Sequence, residues 1–146
     1  LKNTGYDNIV PGNINPRHGG FMNRAEIIHF AIHILGCGCD NSVFNSIDEN
    51  DHVMLKCGIR LRKKIIVGKR LLIYIADTHD LKPEDTGKVI SEGMEERDSM
   101  GYNRLRLAIV SPEVSKDAPA YLCSFGTLTS KDEKTHIHIV SRDDAI

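Results

Sequence analysis

Leu71-Leu72-Ile73-Tyr74-Ile75 is an apolar run without alternation, bounded by Lys69-Arg70 before it and Asp77-Thr78 after it. Its length and its Ile and Tyr content suit a strand better than a helix. A strand that does not alternate is covered on both faces, so it is central in its sheet. The chain must therefore build layers on each side of that sheet.

The sequence before it sharpens the picture. Val53, Leu55, Cys57, Ile59 and Leu61 alternate with Met54, Lys56, Gly58, Arg60 and Arg62. This period of two predicts a half-buried strand over 53–62. Ile65 to Ala76 is expected as a second strand, with Gly68 as a turn or bulge point. Residues 40–52 are polar and acidic and are expected as a connection.

Elsewhere, Asn23 and Glu26 have the spacing of a capping box, which starts a helix running to about Leu35 and stopped by Gly36 and Gly38. A second helix is predicted from Lys82 to about Met100, opened by Pro83 and ended by Gly101. Arg104 to Val110 reads as a strand, and Tyr121 to Leu128 with Thr135 to Val140 as a hairpin. The expectation is an α+β (or mixed α/β) fold. Its central sheet has about five strands, largely antiparallel, with two main helices packed on it. Residues 1–22, rich in Gly, Asn and Pro, read as an arm or loop, and 23–146 as one globular domain. The chain begins at Leu1 rather than Met, which points to a longer parent protein.

Charge is segregated. Lys56, Arg60, Arg62, Lys63, Lys64, Lys69 and Arg70 fall between His52 and Ala76 with no acidic residue among them, although the whole chain has 19 Lys+Arg, 20 Asp+Glu and a net charge of -1. Any case for an anionic ligand therefore rests on a local patch. With the odd positions of 53–62 buried, Lys56, Arg60 and Arg62 share an outer face that Lys64 continues, and Arg104 and Arg106 repeat the pattern on another strand. Such a face can neutralise several phosphates, of RNA or DNA or of anionic lipid. It can equally be a solvated face or an edge protected by charge. Only 5% of residues are aromatic and there is no Trp, which disfavours a binder that stacks bases.

Two clusters could hold a metal. His29, His33, Cys37 and Cys39 supply four N/S donors within one helix and its stop, a candidate zinc set, though a Cys-x-Cys pair is tighter than usual. Asp77 and His79 directly follow the most apolar strand and are the candidate catalytic pair; Asp80 and Thr78 beside them suit a simple helix cap. His136-Ile137-His138 resembles the His-hydrophobic-His strand of single-strand nucleases with a tyrosine nucleophile. The likeness covers three residues, and no Tyr-x-x-Lys accompanies it, so it is read as chance. The helix-strand-strand-helix-strand order partly resembles that of restriction nucleases, with Glu26 on the first helix. That chemistry needs carboxylates beside a lysine on adjacent core strands. Strands 53–76 contain no acid, and Asp132-Glu133-Lys134 fits only in a loop, which leaves a degenerate domain that binds without cutting.

No apolar run is long enough to span a bilayer and no signal peptide is visible. The cysteine usage suits a reducing, intracellular setting, in cytoplasm or nucleus. The leading expectation is a non-enzymatic binding domain, part of a larger or viral-type protein, that contacts nucleic-acid phosphates. The alternatives are a structural domain that self-associates or binds a protein partner through segregated charge, and a small metal-dependent hydrolase.

Overall fold

The computed structural model describes residues 23–38, 41–129 and 131–145; the 1–22 arm and Cys39 lie outside the described residues. Five strands form one sheet in the order β1-β2-β3-β4-β5. They are β1 (Ile47–Met54), β2 (Arg60–Val67), β3 (Leu71–Asp77), β4 (Arg104–Ser111) and β5 (Thr135–Ser141). The first three make an antiparallel meander, whereas β3 pairs parallel with β4 and β4 parallel with β5. The chain folds as the expected α+β class with a five-stranded mixed sheet.

Parallel neighbours cannot be joined by a tight turn, so each parallel pair needs a crossover. Helix α2 (Thr86–Met100), entered through a helical turn at Pro83–Asp85, links β3 to β4, and helix α3 (Val114–Gly126) links β4 to β5. Both helices cover one face of the sheet. There Val89, Ile90 and Tyr121 meet Leu72, Tyr74, Ala76, Leu105, Leu107 and Ile109. Helix α1 (Arg24–His29), its wider continuation Phe30–Ile34, and the short α4 (Arg142–Ala145) cover the other face. Ile27, Phe30, Ala31 and Leu35 pack there on Ile65, Val67, Leu71, Ile73, Ile75, Ala108 and Val110. Leu71 through Ala76 are all buried, as the unalternating run requires.

Local signals account for the element ends. Asn23 accepts from the Glu26 N–H at 2.9 Å while the Glu26 carboxylate accepts from the Asn23 N–H at 2.8 Å, so the capping box is complete. Gly101 ends α2 at φ 77°. Gly93 lets α2 lie close on the sheet, since a Cβ there would stand 2.7 Å from Leu105 Cδ2.

Two expectations are corrected. The 40–52 connection holds a helical turn (Asn41–Asn45) and most of β1, and the strand expected over 53–62 is the end of β1, a turn and the start of β2. The turn closes with Leu55 donating to the Ile59 carbonyl at 3.0 Å, and Glu92 of α2 caps it by accepting from the N–H groups of Lys56 (2.7 Å) and Cys57 (2.9 Å). The apolar parity continues across the turn, which is why one strand was expected. The second correction is Tyr121–Leu128, expected as a strand, which lies in and just beyond α3. Pro119 stands inside that helix and disguises it. The buried Tyr121 anchors it, donating its hydroxyl hydrogen bond to the Leu81 carbonyl.

Arg97 of α2, 3% exposed, pins the approach to β5. It donates to both Asp132 oxygens (3.0 and 2.6 Å) and to the Thr135 hydroxyl (3.0 Å). The β2–β3 turn is set by Gly68 (φ 61°) and Lys69 (φ 55°), a pair of positive angles suited to a tight hairpin. A Cβ on Gly68 would sit 2.4 Å from the Val43 carbonyl oxygen. Gly68→Ala is therefore expected to lower the unfolding free energy by about 2 kcal/mol or more, from left-handed strain and a backbone collision. Urea denaturation checks this; an unchanged midpoint would show that the turn relaxes freely.

Candidate anion-binding site

The six basic residues expected on one face are divided by the fold. Lys56 and Arg60 are exposed at and beside the β1–β2 turn. Arg62 pairs with Asp77, Nε to Oδ2 3.6 Å. Lys64 points to the α2 side and pairs with Glu96 at 2.7 Å; the same carboxylate accepts from the Tyr74 hydroxyl at 2.5 Å. Arg104 and Arg106 alternate with Leu105 and Leu107, so they point to the opposite, α1 side. They also lie at the other end of the sheet, because Arg104 aligns with Leu71 and through it with Val67, roughly 20 Å along β2 from Arg60.

The basic residue between them has acidic partners. Lys63 is 2% exposed and its ammonium lies 2.8 Å from Glu49 and 2.6 Å from Asp51, both on β1. Lys63 is thus paired with acids of the neighbouring strand, which runs antiparallel to its own.

Arg104 and Arg106 meet something different. They line a cavity of about 500 Å³ together with Arg70, Asn103, Val67, Leu71, Val43 and the Gly36-Cys37-Gly38 segment that follows the first helix. Backbone bonds hold two of its arginines together: the Arg70 carbonyl accepts from the N–H groups of Asn103 (2.7 Å) and Arg104 (2.9 Å). The cavity opens where the first helix ends. Leu35 closes the apolar layer, and the amino-terminal part of β4 beyond it carries arginines instead of apolar residues. Among the described residues no carboxylate lines the cavity.

Arg106 is 7% exposed, and its Nε and Nη1 are buried without a hydrogen-bond partner. Burial, then the neighbouring Arg104 charge, push its pKa down. Across the sheet Arg106 aligns with His136, and Ala108 with His138, so both histidines share its face. His138 Nε2 is likewise buried and unpartnered. Burial first, then Arg106 and His136, hold its pKa down at about 4; His136, more exposed, is lowered by burial and by Arg106 and Arg104. What the fold assembles here is a cavity lined by three arginines, which is the complement of a small anion.

The other expected site residues have different surroundings. His29 and His33 stack at 5.0 Å on the exposed side of the first helix, while Cys37 is buried and disulfide-bonded, so its sulfur is not a free thiolate for zinc. Among the described residues no group of three or more His, Cys, Asp or Glu could hold a metal. Asp77 is engaged by Arg62, and its carbonyl accepts from Asp80 and Leu81 in the turn, with His79 exposed beside it. The free thiols of Cys57 and Cys123 are half-buried and exposed, respectively, rather than core. Among the described residues no helix is long and apolar enough to cross a membrane.

Arg70 was visible in the sequence but not as a neighbour of Arg104 and Arg106 at one cavity. The Arg-x-Arg of β4 and the His-x-His of β5 have the same parity. Only their parallel pairing shows that they share one face of the sheet.

No family model, curated protein or solved structure matches this chain.

A buried guanidinium without partners is a stability defect, so Arg106→Met is expected to stabilise the ligand-free protein, by about 1–3 kcal/mol. Thermal or urea unfolding measures it, and a large loss would show that Arg106 holds the fold together. The His138 pKa is lowered on folding, so the native state binds fewer protons. Its contribution is complete above about 6.5, falls as the pH drops, and is gone below about 4. His138→Asn should flatten the fall in stability between pH 6.5 and 4, measured as unfolding free energy against pH.

Proposed function

We propose that this domain is a non-enzymatic binder of nucleic-acid phosphates, with contacts centred on Arg70, Arg104 and Arg106. The observation that carries the reading is Arg106, a buried guanidinium with two unpartnered nitrogens at a cavity shared with two further arginines. Unpaired charge of this kind is costly unless a partner of opposite sign arrives. Phosphate is the anion that arginine recognises best, through charge and several donors at once. Lys64 and Arg62, already paired with carboxylates, contribute little.

A degenerate nuclease-like origin is a second reading, favoured by Glu49, Asp51 and Lys63. Here two carboxylates and a lysine do lie on adjacent strands, although the acids come from β1 rather than from 53–76. The Lys63 ammonium bonds both carboxylates directly and occupies the position between them, which supports binding without Mg²⁺-dependent cutting. Hydrolysis of a labelled strand in Mg²⁺, lost in Asp51→Asn, would overturn the non-enzymatic reading.

Fluorescence anisotropy with single-stranded RNA and DNA tests the main proposal. Binding should weaken steeply with salt, and Arg104→Ala should reduce the slope of log K against log salt by about 0.7, the value for one lost phosphate contact on a single strand. Lys64→Ala should leave the slope unchanged. Absence of binding to either polymer at low salt would end the proposal.

A further inference from the structure

We infer that the Arg70–Arg104–Arg106 cavity takes a phosphate monoester, the terminal phosphate of a nucleotide or nucleic-acid strand, in preference to the internal phosphodiesters of a continuous backbone. The inference rests on the phosphate-binding role proposed above and specifies its ligand.

Access is the first reason. Arg70 and Arg104 are exposed, but Arg106 is 7% exposed and its Nε and Nη1 are fully buried. A backbone phosphate tracking across the domain reaches the two exposed arginines. It meets the small exposed part of Arg106 only by entering the cavity that this residue lines, and an internal diester would have to bring the chain in and out through one mouth. A chain end enters once.

Charge is the second reason. Three arginines line the space and, among the described residues, no carboxylate lines it. A monoester carries about -1.5 to -2 at neutral pH, against -1 for a diester, so it compensates more of this charge. It also presents three terminal oxygens to donors, where a diester presents two.

Volume and lining are the third. About 500 Å³ lies within the usual range for small-ligand sites and is confined by Gly36, Gly38, Val43 and Leu71. None of this is needed to hold a backbone on an open basic surface, as Lys56 and Arg60 could do elsewhere on the sheet.

The experiment compares one single-stranded oligonucleotide, labelled internally, in three forms: 5′-phosphate, 3′-phosphate and hydroxyl at both ends. Anisotropy titrations are run on the native protein, on Arg106→Met and on Arg104→Ala, with folding confirmed by circular dichroism. A terminal phosphate at one end should tighten binding at least tenfold, and Arg106→Met should erase that gain while leaving the residual affinity of the hydroxyl form. Arg104→Ala, at an exposed position, should reduce the gain without a change in fold. Equal affinity for all three forms would overturn this inference and leave backbone binding standing. Failure of all three to bind, with a nucleoside monophosphate also failing in calorimetry, would overturn both. Binding of the monophosphate, but not the nucleoside, without any oligonucleotide affinity would support the monoester site, identify the free nucleotide as its source and remove the nucleic-acid role.

Discussion

Everything in this structure is arranged around covering β3 on both faces. Leu71 to Ala76 have essentially no exposed surface, and each large apolar side chain in that run is worth about 1.5–3 kcal/mol when removed from water. One hairpin neighbour, β2, completes one edge, and β4 completes the other. Because β4 runs parallel to β3, the chain must cross over, and α2 does so on the face of Leu72 and Tyr74. The first helix is then required on the face of Leu71, Ile73 and Ile75. It is short, and its end leaves the β4–β5 corner to polar residues.

Against that apolar frame, the treatment of charge is uneven. Lys63 is as buried as its apolar neighbours, yet two carboxylates meet its ammonium. Arg97 is buried and meets Asp132 and Thr135, and Asp132 is held at a pKa of about 2 by that guanidinium. Lys64 has Glu96. Among the described residues Arg106 Nε and Nη1 have no such partner, and beside Arg106 stand a further arginine and two histidines whose pKa values are lowered. The contrast within one small sheet supports assigning a ligand to the Arg106 cavity and a structural role to the other basic groups.

The helix starts and stops were legible because capping is local: Asn23, Glu26 and Gly101 act within a few residues of themselves. The double coverage of β3 was legible because lack of alternation has one physical meaning. What misled was parity without geometry. The apolar alternation from Val53 to Leu61 is unbroken, but the chain reverses at Gly58 (φ 93°), so Lys56 and Arg60 flank a turn instead of lying along one strand. Likewise, α3 contains Pro119 and only one fully buried side chain, which hides its helical period.

Residue order alone dictates a central two-sided strand, helices to cover it, and an excess of basic residues beside it. These follow from side-chain polarity and short-range backbone preferences, which are written in order along the chain. Only the tertiary structure decided which basic residues would be neutralised. The acids that satisfy Lys63 and Lys64 come from Glu49, Asp51 and Glu96, at least twelve positions away. The parallel register of β4 and β5 decided that Arg106 would stand opposite His136. Charge compensation depends on distance in space, and that distance is fixed by strand pairing between segments far apart in the chain.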